Sequence, residues 1–134
     1  MIITRTYEWD MAHRLPFHDG KCRRLHGHRY KAELTVAGPI ITSGSEYGMV
    51  MDFDRIKKAV DNTFSYWDHR CMLWACDTLR IENEEAEGVF RVPYMPTAEN
   101  IAHEIFLMLR HEGLPMLSVR VYETPNGWAV ADGK

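Results

Sequence analysis

Apolar and polar residues alternate along the first segment, with Tyr7, Trp9, Met11 and His13 on one side and Thr6, Glu8, Asp10 and Ala12 on the other. A period of two is that of a strand with one buried face, and His13 ends the aromatic side of it. The alternation stops over an irregular, partly basic stretch, Arg14 to Leu25, and resumes at His26. There His26, His28, Tyr30, Ala32, Leu34 and Val36 share one face, while Gly27, Arg29, Lys31, Glu33 and Thr35 take the other. Gly38-Pro39 and Ser43-Gly44-Ser45 then read as loop, with a short extended piece around Met49–Met51.

From about Asp54 the period lengthens to three or four, through Ile56, Val60, Phe64 and Trp67, which predicts a helix to about Tyr66. The stretch Met72–Pro96 carries an acidic run at Glu82–Glu85 and the weakest pattern, read as a short helix followed by a strand at Val89–Val92. Thr97 is a natural N-cap for a helix from Ala98 to about His111, with Ile101, Ile105, Met108 and Leu109 as its core stripe and Gly113 as its stop. Leu117, Val119, Val121 and Glu123 alternate again, and Pro125-Asn126-Gly127 turns the chain into Trp128–Ala131, a hairpin signal. The main elements run ββααββ. Two hairpins separated by two helices predict an α+β fold, an antiparallel four-stranded sheet with both helices on one face.

The 134 residues fit one domain spanning 1–134, with no internal repeat and no linker. A formal charge of −3 offers no broad attraction for nucleic acid or an anionic membrane, so an anion must be met locally. No apolar run approaches the ~20 residues of a membrane span, and the N-terminus lacks a signal-peptide pattern, so a cytoplasmic protein is expected. Cys22, Cys71 and Cys76 are an odd number without a CxxC pair, which argues for reduced thiols over a disulfide framework or a thiolate-only zinc site.

The strongest chemical signal is His26-Gly27-His28 on a strand, where a period of two points both imidazoles to one face. His13, at the end of the neighbouring strand, can complete a three-imidazole site suited to zinc, although iron, nickel and copper accept the same ligands. His18, His103 and His111 have no such setting, and His111 simply complements a helix C-terminus. Cys22, within Lys21-Cys22-Arg23-Arg24, is a candidate base or nucleophile beside the metal, or else the fourth ligand of a closed Cys-His₃ structural site. Asp68-His69 is a candidate proton relay. Glu123, a carboxylate on the apolar face of a strand, needs a donor. The paired N–H groups of a pterin or guanine edge would supply one, as would a buried Arg or a backbone partner. Arg14, Lys21, Arg23 and Arg24 are candidates to receive phosphates.

Together, A-H-R-L at 12–15, C-R-R-L-H-G-H-R-Y at 22–30, G-M-V-M-D-F at 48–53, W-D-H at 67–69, P-T-A-E-N at 96–100 and Y-E-T-P at 122–125 resemble the 6-pyruvoyltetrahydropterin synthase / 6-carboxytetrahydropterin synthase family. The resemblance implies a tunnelling fold, in which four-stranded sheets join edge to edge into a homo-oligomeric barrel, a hexamer or a related assembly, with sites at subunit interfaces. It implies zinc on His13, His26 and His28, a catalytic thiol at Cys22 assisted by Asp68 and His69, and a pterin anchored by Glu123 with Thr97 nearby. The spacing Cys22-x-x-x-His26-Gly27-His28 resembles the queuosine-type 6-carboxytetrahydropterin synthases. These act on 7,8-dihydroneopterin triphosphate to give 6-carboxytetrahydropterin, acetaldehyde and triphosphate. The rival within the family is the pyruvoyl-forming enzyme, which eliminates triphosphate without cutting the side chain. The rival from another class is a non-catalytic oligomer with a closed zinc site. Trp67 stands where the family carries Leu, which predicts a packing role, and Met72–Pro96 is longer than in compact members, which bears on the substrate entrance.

Overall fold

The computed structural model describes residues 1–134. Its elements are β1 (Ile2–His13), β2 (His26–Ala37), α1 (Phe53–Asn62), β3 (Arg70–Trp74), β4 (Val89–Val92), α2 (Ala98–His111), β5 (Met116–Thr124) and β6 (Gly127–Ala131). Short 3₁₀ turns lie at Lys21–Arg23 and Ser65–Trp67.

The four predicted strands form the antiparallel part of the sheet, β1-β2-β5-β6. The sheet itself is six-stranded and mixed, in the order β4-β3-β1-β2-β5-β6, so the purely antiparallel four-stranded expectation is corrected. The two added strands pair in parallel, β3 on β1 and β4 on β3. Of the two, β3 escaped the sequence pattern because Cys71, Met72 and Leu73 are all buried. A strand covered on both faces reads as a continuous apolar run, and periodicity does not mark it as a strand. The strand expected at Val89–Val92 is present, and no helix precedes it.

β1 and β2 pair along twelve residues without a register shift, from Ile2 opposite Ala37 to His13 opposite His26. That register aligns Trp9 with Tyr30, whose rings stack at 5.2 Å. Tyr7 and Trp67 extend the cluster, and Trp67, buried, packs on Phe64 and Phe90 as expected of it. Ile56 and Val60 of α1 and Ile101, Ile105 and Leu109 of α2 join this same core, against Leu34, Val36, Val119 and Val121. Each fully buried aliphatic side chain contributes about 1.5–3 kcal/mol of transfer free energy, so the core face fixes which way every strand is turned.

Helix α2 spans the expected residues, with the Thr97 hydroxyl accepting from Asn100 N at 3.3 Å and Gly113 at φ 87° beyond its end. Helix α1 is shorter than expected. Thr63 leaves helical geometry (φ −118°, ψ −89°) and its hydroxyl donates to Ala59 O at 2.7 Å, so the chain proceeds to Trp67 through a separate 3₁₀ turn. A register shift opposite Thr35/Val36 turns Met116 toward the core and leaves Leu117 exposed, reversing its expected side. Along the antiparallel strands the other face of the sheet is more exposed and carries charged and aromatic pairs, among them Arg29 on Asp10 (3.0 Å) and the Arg120 guanidinium over the Trp128 ring (5.2 Å).

Candidate metal and pterin site

At the end of the core face the β1/β2 register sets His13 directly across from His26 and one pair from His28. The three ring centroids lie 4.7–5.1 Å apart, and one ligand atom from each histidine falls within 4.8 Å of the other two. His13 Nδ1 donates to the Pro96 carbonyl at 2.7 Å and His26 Nδ1 to the Arg24 carbonyl at 2.6 Å. Those bonds fix the tautomer, leaving each Nε2 with a free lone pair. The Nε2 atoms of His13, His26 and His28 are all buried and make no hydrogen bond. Three unpartnered Nε2 atoms converging on one point, two of them on rings oriented by Nδ1 bonds, fit the donor set of a Zn²⁺ ion. Burial pushes the pKa of His13 down to about 4, and burial followed by the His26 charge lowers that of His28, so both rings are neutral and competent to ligate at neutral pH.

Cys22 falls outside the group of ligand atoms lying within 4.8 Å of one another. A fourth ligand on a tetrahedral zinc would sit closer to the imidazole nitrogens than that, since Zn–S is about 2.3 Å and Zn–N about 2.0 Å. The thiol lies in the 3₁₀ turn of the β1–β2 loop, and its carbonyl accepts from Leu15 N at 2.8 Å.

Glu123 sits where the β5/β6 ladder shifts register, between the pairs Tyr122–Trp128 and Thr124–Gly127. Its carboxylate stands 3.9 Å from His13 Nε2, beyond hydrogen-bond reach. Burial first, then the nearby Glu99, push its pKa up. It borders a cavity of about 350 Å³ shared with Leu15, Thr97, Glu99 and Trp128, and one of about 540 Å³ shared with Gly27 and His28. The Thr97 side chain is occupied as the cap of α2, so it meets that cavity as part of the helix end.

Asp68 and His69 form a dyad, Nδ1 to Oδ1 at 2.9 Å, but on the opposite side of the sheet. Asp68 accepts from Asp10 N at 2.9 Å, and the dyad clusters with the Asp10 carboxylate, which alternation sends away from Met11 and His13. Hydrogen bonds from Asp10 N and His69 hold the Asp68 carboxyl below the usual range against the opposing effect of its partial burial. His69 is 76% exposed and held at φ 62°, a left-handed conformation that non-glycine residues adopt at a cost. One chain therefore brings His13, His26, His28, Glu123 and Thr97 together and holds Asp68–His69 apart from Cys22.

Sequence reasoning missed three participants. Tyr30 follows His28 on the same face, its ring centroid 5.5 Å from that of His28, and its buried hydroxyl makes no bond. Extending the β2/β5 register one place sets it beside Glu123, and the alternation that located the histidines carried this signal too. Asp10 joins the dyad and Asp77 binds Arg14, contacts that no local pattern announces.

Residues 2–134 match the family model described as 6-pyruvoyl tetrahydropterin synthase. The chain belongs to that family. Among its relatives, 6-carboxy-5,6,7,8-tetrahydropterin synthase of Haemophilus influenzae is 36% identical over 94% of each chain. The protein of the same name from Synechocystis sp. is 40% identical over 92% of this chain and 86% of that one. Among solved structures, 6-pyruvoyl tetrahydropterin synthase of Caenorhabditis elegans superposes with a TM-score of 0.73 at 23% identity, covering 100% of this chain and 96% of the other, a likeness of fold. The fold is thus shared along the whole chain.

Proposed function

We propose that this pterin synthase is a zinc-dependent 6-carboxy-5,6,7,8-tetrahydropterin synthase, which converts 7,8-dihydroneopterin triphosphate and water to 6-carboxytetrahydropterin, acetaldehyde and triphosphate. The observation that carries the reading is the convergence of three orphaned Nε2 atoms beside a half-buried, unpaired Glu123. The names of relatives at 36% and 40% identity support the carboxy-forming reaction, as does the Cys-x-x-x-His-Gly-His spacing.

His13, His26 and His28 would hold the ion, which supplies Lewis-acid polarisation of the substrate's side-chain hydroxyls. Glu123 accepts the paired N–H groups of the pyrimidinone edge, two charge-assisted bonds that orient the ring at the end of α2 beside Thr97. With the ring held there, the side chain lies toward His28 and Cys22. Cys22 moves a proton between carbon and oxygen, and His69, oriented by Asp68, acts as the second acid/base group. Because the dyad faces the opposite side of the sheet from the metal ligands, His69 acts on the substrate of a neighbouring copy, and a homo-oligomer is part of the proposal. Free thiols suit a reducing cytoplasm, and a carboxylated pterin suits 7-deazapurine (queuosine) biosynthesis.

The closed Cys-His₃ reading is disfavoured by the place of Cys22 outside the cluster of ligand atoms. The test is to incubate zinc-loaded protein with 7,8-dihydroneopterin triphosphate and identify products by mass, with Cys22→Ala in parallel. Acetaldehyde and 6-carboxytetrahydropterin are expected, with zinc retained and turnover lost in the variant. A pyruvoyl product would move the chain to the sister activity, and unchanged substrate would overturn the catalytic reading.

A further inference from the structure

Arg14, a sequence candidate for phosphate, is not free to receive one. It immediately follows His13, and its guanidinium forms a two-point bond with Asp77, Nε to Oδ2 at 2.7 Å and Nη2 to Oδ1. The Asp77 side chain is fully buried and that of Arg14 is 18% exposed. A planar fork on a buried carboxylate fixes orientation as well as distance.

The carboxylate stands on a braced turn. Asp77 N donates to Trp74 O at 3.0 Å, Leu79 N donates to Asp77 Oδ1 at 2.9 Å, and the Asp77 carbonyl accepts from Arg80 (2.7 Å) and Arg91 (3.0 Å). Arg91 of β4 also binds Leu79 O and Glu84, tying the segment after β3 to the sheet edge. The same segment holds the loop a second time, where the Phe17 ring meets Trp74 edge-on at 5.5 Å.

The other end of the connection is the thiol. Leu15, next to Arg14, donates its N–H to the Cys22 carbonyl at 2.8 Å, and His18 N donates to Leu15 O at 3.0 Å. Inside the loop, Gly20 N bonds His18 Nδ1, and Arg23 N and Arg24 N bond the turn carrying Cys22. Apart from the Arg24 carbonyl accepting from His26, the hydrogen bonds leaving this loop are those of Arg14.

We propose that Asp77, through its fork to Arg14, is a positioning residue that holds the β1–β2 loop and sets where the Cys22 thiol stands relative to the three histidines. This gives the long stretch after β3 its role: it latches the loop that carries the thiol. The inference rests on the proposed function only in taking Cys22 as the acting thiol.

The test uses Asp77→Asn, which keeps the shape and removes the charge, and Arg14→Lys, which keeps the charge and removes the fork. Each is made in the full chain and also in a Cys76→Ser background, since Cys76 is exposed and Cys71 buried. In Asp77→Asn, kcat is expected to fall at least about tenfold, because misplacing a reacting group by about an ångström has effects of that order. KM stays within about twofold and bound zinc is unchanged, since the hydrogen bonds of Asp77 go to Arg14, Trp74, Leu79, Arg80 and Arg91 and none to Glu123 or the histidines. Alkylation of Cys22 by iodoacetamide speeds up about threefold or more as the loop opens. Arg14→Lys gives a smaller loss of the same kind.

A residue that only stabilises the fold would lower the melting temperature and leave the kcat and alkylation rate of the folded protein unchanged, and that result overturns the latch. If Asp77→Asn does not fold, Arg14→Lys decides by the same readouts. Should the parent protein convert no substrate, the proposed function fails, while the alkylation arm still tests the latch.

Discussion

Acidifying the metal-free protein should destabilise it through His13 well before its carboxylates titrate. The ring is 1% exposed, and burial outweighs its bond to Pro96, so the folded-state pKa is pushed down to about 4 against a reference near 6.5. A histidine with a lowered folded pKa is protonated in the unfolded chain first. Stability is intact above about pH 6.5, falls as the unfolded chain takes up the proton, and levels off below about pH 4. At pH 5 the linkage amounts to about 2 kcal/mol, a large part of a stability of about 5–15 kcal/mol. His28, also lowered, acts in the same direction. Glu123, whose pKa is raised, acts in the other, since protonation relieves its burial. Urea titrations of chelator-treated protein at pH 7 and pH 5, compared with His13→Gln, isolate the single residue, because both proteins retain His28 and Glu123. Gln cannot titrate, so its pH difference should be smaller by about 2 kcal/mol. Equal pH differences in the two proteins would refute the reasoning. Chelation matters here, because zinc at a hundred times its Kd would add about 2.7 kcal/mol and compete with the proton.

Glu123→Gln should raise KM for the pterin by about tenfold or more, the cost of replacing a charge-assisted acceptor pair. It should leave melting unchanged or slightly raised, because the half-buried carboxylate has no hydrogen-bonded partner; steady-state kinetics with a thermal melt read both. His69→Gly should abolish turnover yet keep stability within about 1 kcal/mol, since release of the left-handed backbone offsets the freedom glycine gains on unfolding. A chemical denaturation curve checks that balance. Cys22→Ala and His69→Ala, each inactive alone, should recover a measurable fraction of activity when unfolded and refolded together, because mixed assemblies contain neighbours with both groups intact. No recovery in mixtures of proven mixed composition would place both groups in one subunit.

The cluster of three histidines was legible because it needs only strand periodicity and one register. His26 and His28 share a face by alternation, and His13 meets them because β1 and β2 pair without a slip. Helix α2 was legible from its cap and stop, both local signals. The fourth strand was legible at its observed bounds, Val89–Val92, but the third was not, because burial on both faces of β3 erases the alternation that identifies a strand. Glu123 lies on the core face that its alternation with Val119 and Val121 indicates, whereas the register shift of the β5/β6 ladder around it left no mark in the pattern. Arg14 read as one of four cations in a basic loop. Its partner is 63 residues away, in the least patterned stretch of the chain, so nothing local distinguished it from Lys21, Arg23 and Arg24.

Strand alternation also explains why one chain holds its proposed acid/base groups apart. On β1, Met11 and His13 point to the core face while Asp10 points to the open face, where Asp68 and His69 gather around it. Thr97, Glu123 and the metal ligands gather at the end of the core face, and the Cys22 turn is tied to Leu15 beside them. The sheet lies between the two groups, with β1 paired on both sides, to β2 and to β3. Such a chain presents two halves of a site back to back. The His69 half is exposed and held at a left-handed φ by its own chain, with His69 N donating to Asp10 O at 2.7 Å and Nδ1 bonded to Asp68, and under the proposed function it serves a neighbouring copy.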